Sequence, residues 1–234
     1  MQQQNRQPTT YVIGCGGIGA WQAQALGRLL PEGSRLVLID KDKIEKKNLD
    51  RQLFVKRDIG KNKAEALARH LGPRLETQAE PEFFHEDYEL EADSIVFGGV
   101  DNHPARINIL KACDRSGSCC FLAGNEYWDS EAYYYQKDWS GTELDPRWYY
   151  PDLLTDTSGD PLQPSCTGEV QEADPQLATA NMNAAGHSMF LYTFWRLKQP
   201  ELEASDTDFW PVHVFNNFSK TVTLTKGDKL HGHS

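Results

Sequence analysis

The 234-residue chain says much through what it lacks. No run approaches the ~18 consecutive apolar residues of a membrane-spanning helix. Met1–Thr10 is polar, without the apolar core of a signal peptide, so neither a membrane partner nor export is expected. Basic residues are scarce: 24 Lys and Arg stand against 34 Asp and Glu, a net charge of −10. Proteins that bind a phosphate backbone carry the opposite excess, which argues against nucleic acid as a partner. The five cysteines, Cys15, Cys113, Cys119, Cys120 and Cys166, form no CxxC pair. His85-Glu86 lacks the second histidine of a metalloprotease helix, and no zinc is expected. Without export, the cysteines read as free thiols of a reducing cytoplasm. No GxxxxGK[ST] occurs, which excludes a P-loop nucleotide site. An apolar fraction of 39% and a charged fraction of 25% exclude a disordered chain. The length suits one large domain or two small ones; with no repeat, a single domain over 1–234 is expected.

What is present alternates. Tyr11-Val12-Ile13 reads as a strand running into Gly14-Cys15-Gly16-Gly17-Ile18-Gly19. The three-to-four spacing of Ile18, Trp21, Ala25, Leu26 and Leu29 predicts a helix, ended by Pro31-Glu32-Gly33. Leu36-Val37-Leu38-Ile39 reads as a fully buried strand reaching Asp40. A short amphipathic helix is expected over Asn62–Leu71, stopped by Gly72-Pro73. Ile95-Val96-Phe97 is another buried strand, followed through Gly98-Gly99-Val100-Asp101 by a helix over Pro104–Cys113. Cys119–Leu122 and the aromatic Glu131–Gln136 are further strands. The alternation predicts an α/β fold, a Rossmann-like, mainly parallel sheet with helices on both faces. Residues 139–175 break the pattern, holding five of the twelve prolines and no apolar period, which predicts a long crossover loop. A helix over Gln176–Leu197 is expected next, then a closing hairpin over Val212–Thr225 turning at Asn216-Asn217.

Gly14, Gly16 and Gly19 form a GxGxxG fingerprint between strand and helix, with Gly17 and Ile18 completing the loop. In that context glycines let backbone N–H groups approach a phosphate. Asp40, 21 residues beyond Gly19, can accept hydrogen bonds from ribose hydroxyls. These features alone also suit an NAD-dependent oxidoreductase. Asn48, Arg51 and Gln52 follow closely, though a solvated charged loop would look the same. Lys63 opens the next helix, and Asp101-Asn102 ends a strand at the same sheet edge. An arginine, a lysine and an aspartate at strand ends suit a triphosphate with Mg²⁺ better than a nicotinamide.

With these residues in this order, the chain resembles the ubiquitin-activating-enzyme superfamily, including the ThiF/MoeB sulfur-carrier adenylyltransferases. The resemblance runs through Gly14–Asp40, Asn48-Leu49-Asp50-Arg51-Gln52, Gly60-Lys61-Asn62-Lys63, Val100–Arg106, and Ser165-Cys166-Thr167 ahead of the 176–197 helix. The asparagine–arginine–glutamine block is far more specific than the glycines. The resemblance implies ATP- and Mg²⁺-dependent adenylation of the C-terminal glycine carboxylate of a ubiquitin-like protein. By the same resemblance Asp40 holds the ribose, with Asp42 in the same nucleotide-binding set. Asn48, Arg51, Gln52 and Lys63 surround the phosphates, Asp101 holds Mg²⁺, and Asn102 and Arg106 complete the pocket wall. Arg51, Lys63 and Asp101 are then catalytic, together with Cys166 as thioester nucleophile. A homodimer, and a conjugating enzyme as a further partner, are implied in the same way.

The chain departs from the family in places. The CxxC pairs of many sulfur-carrier relatives are absent, and neither an inserted cysteine domain nor a ubiquitin-fold domain is expected within these 234 residues. By the resemblance, the N-terminal segment that supplies an arginine to the neighbouring subunit's ATP is expected to be cut to about ten residues, where Arg6 could replace that arginine. Cys113, Cys119 and Cys120 read as small core residues, and Cys15 as a side chain that need only be small. Cys166, between Pro164 and Gly168 in the crossover loop, is expected to be exposed. Three rivals stand beside this reading: a sulfur-carrier adenylyltransferase without thioester transfer, an NAD-dependent oxidoreductase, and a non-catalytic subunit.

Overall fold

The computed structural model describes residues 7–125, 129–156, 177–197, 211–217 and 220–228. Strand β1 (Thr10–Ile13) leads through the glycine loop into helix α1 (Gly17–Leu29) and back to β2 (Arg35–Ile39). Helix α2 (Lys63–Leu71) repeats the move to β3 (Glu76–Glu80). All three strands are parallel, in register Val12↔Leu38 and Leu38↔Ala79. The chain then crosses to the other side of β1. There β4 (Ile95–Gly98), helix α3 (His103–Ser116) and β5 (Cys119–Asn125) extend the sheet, again in parallel.

Beyond β5 the sheet turns antiparallel, through β6 (Ser130–Gln136). Two single-turn helices, α4 (Pro146–Tyr149) and α5 (Asp152–Thr155), and the longer α6 (Ala178–Tyr192) precede β7 (Pro211–Asn217) and β8 (Lys220–Thr225). The strand order is β3-β2-β1-β4-β5-β6-β7-β8. Because β1→β2 and β4→β5 step in opposite directions, right-handed crossovers put α1 and α3 on opposite faces. Helix α6 packs beside α1 and over β5 and β6, while α5 packs on α3. Burial on both faces explains why β1, β2 and β4 read as unbroken apolar runs. Beneath α6, Phe97, Phe121 and Tyr134 form a column with Trp195, at ring spacings of 5.1, 5.0 and 4.5 Å.

The α/β class, the mainly parallel arrangement and the helices on both faces follow the sequence expectation. Four details differ. Strand β3 has no apolar signal, because Glu-Thr-Gln-Ala-Glu is polar; it forms on the open edge of β2, where a strand can remain wet. The described part of the expected 139–175 loop, 139–156, is interrupted by two one-turn helices, α4 and α5, which bury Tyr149 and Leu153; Trp139 is buried as well. Helices of one turn are too short to show a period. Helix α6 ends at Tyr192 and loosens into a π-turn, Thr193–Leu197, instead of running on as one helix. In the hairpin Asn217 pairs with Lys220, so both asparagines belong to β7 and not to the turn. Arg6, Cys166, Gln176, His231 and His233 lie outside the described residues.

Candidate active site

The carboxyl ends of β1, β2 and β4 open onto a cleft of about 370 Å³, within the usual range for a small-ligand site. Its base is the glycine loop. Gly14 donates to the Ile39 carbonyl (2.9 Å) and has φ +81°, a conformation that disfavours any side chain. Gly16 caps α1 with no side-chain hydrogen bond. The first N–H groups of α1, at the positive end of its dipole, are therefore offered to an anion. Helix α3 also starts at the cleft. Asn102 caps it by accepting from Ala105 N–H (2.9 Å), and the same amide donates to the Asp101 carboxylate (3.1 Å).

Asp40, at the end of β2, is fixed by two backbone donors: Cys15 N–H at 2.7 Å and Asp42 N–H at 2.8 Å. Burial pushes its pKa up, against the pull of Lys63 and these two bonds. The neighbouring Cys15 thiol is pushed well up, first by burial and then by the Asp40 charge, so it is no nucleophile. Lys63 pairs with Asp42 at 2.9 Å, and its helix is started by Asn62, which accepts from Glu65 N–H. Asn62 also donates to the Asp40 and Asp42 carbonyls (2.6 and 3.1 Å), tying α2 to the loop that carries both aspartates.

Of the residues singled out in the sequence, Gly14, Gly16, Gly17, Ile18, Asp40, Asp42, Gln52, Lys63, Asp101, Asn102 and Arg106 line this one cleft. Three do not. Gly19 is a packing glycine: a Cβ there would overlap the Gly14 carbonyl oxygen. Asn48 is buried and accepts from Glu45 N–H (2.8 Å), closing a 3₁₀ turn. Arg51 rests on the Lys47 carbonyl (3.3 Å) and beside Asp50.

The cleft also holds residues that the sequence reading missed. Asn181, from α6, is fully buried, donates to the Arg51 carbonyl (3.1 Å), and finds no partner for its own Oδ1 among the described residues. Gln52 Oε1 is likewise buried, with no hydrogen-bond partner among the described residues. Phe83 and Phe84 line the end of the cleft past Asp40, with Lys41 over the Phe83 ring at 5.0 Å. Nothing local marks them, because they follow the unsignalled strand β3, and Asn181 lies 130 residues from Arg51.

This donor set fits a nucleoside triphosphate with a magnesium ion. Among the described residues no three His, Cys, Asp or Glu side chains are grouped to hold a metal. Asp42 and Asp101 reach the cleft as single carboxylates. That is enough for magnesium, which takes one or two protein carboxylates and fills its sphere with phosphate oxygens and water. No described helix is long and apolar enough to cross a membrane.

Comparison with known proteins agrees with the geometry. Mouse adenylyltransferase and sulfurtransferase MOCS3 is 35% identical over 113 residues, covering 45% of this chain and 24% of that protein. Ubiquitin-like modifier-activating enzyme 5 of Drosophila willistoni is 32% identical over 113 residues, covering 48% and 24%. The chain thus spans about a quarter of the length of these relatives. Among solved structures, E. coli MccB with ATP superposes with a TM-score of 0.61 at 20% identity, over 94% of this chain and 64% of that one, a likeness of fold. The ThiF family profile matches residues 1–187, most of the sequence, and with the glycine loop, Asp40, Lys63 and Asp101 around one cleft, the chain belongs to the ThiF family.

Proposed function

We propose that the protein adenylates the C-terminal carboxylate of a ubiquitin-like or peptide substrate, using ATP and Mg²⁺. One observation carries this reading: Asp40, Lys63, Asp101 and Arg106 line a single cleft that also takes in the N-termini of α1 and α3. In this reading the ribose hydroxyls bond Asp40 and the base lies against Phe83 and Phe84. The phosphates face the α1 N-terminus, Lys63 and Arg106. Asp101 would hold the magnesium, which neutralises phosphate charge when bound, and Asp42 lines the same cleft as a second carboxylate. The reaction is anion on anion, so catalysis comes mainly from positioning and charge neutralisation. A substrate carboxylate oxygen attacks the α-phosphorus. The bond to pyrophosphate breaks with its electron pair leaving on pyrophosphate, and no proton moves. Arg51 would join the phosphates only by rotating off the Lys47 carbonyl.

Thioester capture is the second step of the proposal. The Cys166 thiolate attacks the acyl carbon, AMP departs with the bonding pair, and the thiol proton passes to solvent. The name of the mouse relative, an adenylyltransferase and sulfurtransferase, supports the alternative in which sulfur transfer to the carrier follows adenylation. A homodimer, a cytoplasmic setting and hand-over to a conjugating enzyme belong to the same reading. Calorimetric titration tests its first half: ATP with Mg²⁺ binds and NAD does not bind comparably. Tight NAD binding without a response to ATP would overturn it in favour of an oxidoreductase.

A further inference from the structure

A second charged cluster lies behind the cleft wall, where β6 pairs with β7 beside α4. Glu131 on β6 accepts from the Tyr150 hydroxyl at 2.6 Å, and its Oε2 lies 3.3 Å from His213 Nε2, from β7. A carboxylate only accepts, so His213 donates from Nε2 in this contact; the Tyr150 hydroxyl lies 3.3 Å from the same nitrogen, and His213 itself is buried. The other carboxylate oxygen faces Arg106 Nη1 at 3.8 Å. Arg106 comes from the first turn of α3 and lines the cleft. Its guanidinium fits only because residue 124 is glycine, since a Cβ there would lie 3.1 Å from Cζ and nearer still to Nη2.

The contrast with Arg147 is informative. Arg147 spends its donors at full hydrogen-bond strength: Nε on Asp145 at 2.8 Å, Nη1 on Asp114 at 2.7 Å, Nη2 on the Tyr135 hydroxyl at 2.6 Å. That is an arginine used for structure, pinning α4 to α3. Arg106 is held differently. Its ion pair is long, and its buried Nε–H finds no hydrogen-bond partner among the described residues. Glu131 is ionised: burial works against the charge, but the His213 bond and charge, then Arg106 and Tyr150, outweigh it and hold the carboxyl at about 2.

We propose that Glu131 is a positioning residue of the cleft: anchored by Tyr150 and His213, it holds the Arg106 guanidinium against β5 at the cleft wall, for an anionic group of the bound nucleotide. The functional half of this rests on the adenylation reading; the placement of Arg106 does not. His213 lies beyond the 1–187 family match, so the C-terminal hairpin takes part in shaping a cleft whose other parts lie within it.

The test uses the full chain, ¹⁵N-labelled, with the Arg106 Nε–H resonance assigned by its loss in Arg106→Lys. Glu131→Gln keeps the shape and removes the charge; Tyr150→Phe removes one anchor with little change in packing. Water exchange of the Arg106 Nε–H should accelerate roughly tenfold in Glu131→Gln, and by less in Tyr150→Phe. ATP with Mg²⁺ should bind about tenfold more weakly to Glu131→Gln, the loss of one charge-assisted hydrogen bond, while adenosine binds within about twofold of the parent. Glu131→Asp, which keeps the charge, should fall between. An unchanged Arg106 resonance in both variants, each checked to be folded by circular dichroism, overturns the proposal. So does an equal loss of ATP and adenosine affinity, which would mark Glu131 as merely structural. A parent protein that binds no ATP sinks the adenylation reading instead, and the resonance still decides whether Glu131 positions Arg106.

Discussion

Replacing Gly17 by alanine tests how α6 braces the nucleotide loop. A Cβ on Gly17 would sit 2.6 Å from Asn181 Oδ1 and nearer still to its Nδ2. Asn181 is fully buried and bonded to the Arg51 carbonyl, so it cannot swing clear. Overpacking of this kind costs about 1–3 kcal/mol. Pushing Asn181 off the Arg51 carbonyl leaves a buried group unsatisfied, at about 1–3 kcal/mol more. Alanine's better helix propensity returns at most about 1 kcal/mol. A net loss of about 3 kcal/mol should lower the melting temperature by roughly 6–12 °C in a chain of this size. Asn181→Ala alone should cost about 1–2 kcal/mol, the lost bond and its unpaired carbonyl. Combined, the two changes should cost less than their sum, with a coupling of at least about 1 kcal/mol, because the new methyl occupies space the amide vacated. Differential scanning calorimetry of the four proteins completes the cycle. If Gly17→Ala melts with the parent, or the two changes simply add, the brace does not exist as described.

Asp101→Ala should abolish substrate-dependent pyrophosphate–ATP exchange and leave the melting temperature unchanged, since Asp101 is exposed and its one neighbour amide also caps α3. Lys63→Ala should slow the same exchange by about 10²-fold, the usual loss for a preorganised charge-stabilising group; near-parent rates in both would mean the reacting phosphates lie elsewhere. Cys166→Ala should keep pyrophosphate exchange and lose a thiol-sensitive adduct with the carrier on a non-reducing gel, whereas an adduct that survives would favour the sulfur-carrier alternative. Acid should expose Glu131: its carboxyl drops from the usual 4.5 to about 2 on folding. Its contribution, at most about 3 kcal/mol, is therefore complete above pH ~4.5 and lost as pH falls toward ~2. Denaturant unfolding between those limits should show a shallower loss of stability in Glu131→Gln than in the parent.

Sequence alone determined the parts of this protein that are local. The β1–loop–α1–β2 unit is legible because both of its strands are buried on two faces and the glycine loop joins them to a helix; of the expected apolar face of α1, Ile18 and Leu26 are buried but Leu29 is exposed. Asp40 and Lys63 were visible because each sits at the end or start of such an element, and the ends of parallel strands must meet at one sheet edge. Tertiary structure decided whatever depends on a partner far along the chain. Strand β3 exists because β2 has an open edge, not because its own residues ask for it. Asn48 and Gly19 carry family motifs yet serve a turn and a close backbone approach. Asn181, Phe83, Phe84 and Glu131 carry no local mark, and they matter only through what folding sets beside them: the Arg51 carbonyl, the cleft beyond Asp40, and the Arg106 guanidinium. Periodicity records which face of an element is dry. It does not record which buried polar groups will meet there, because that depends on the crossing of elements that no short window of sequence contains.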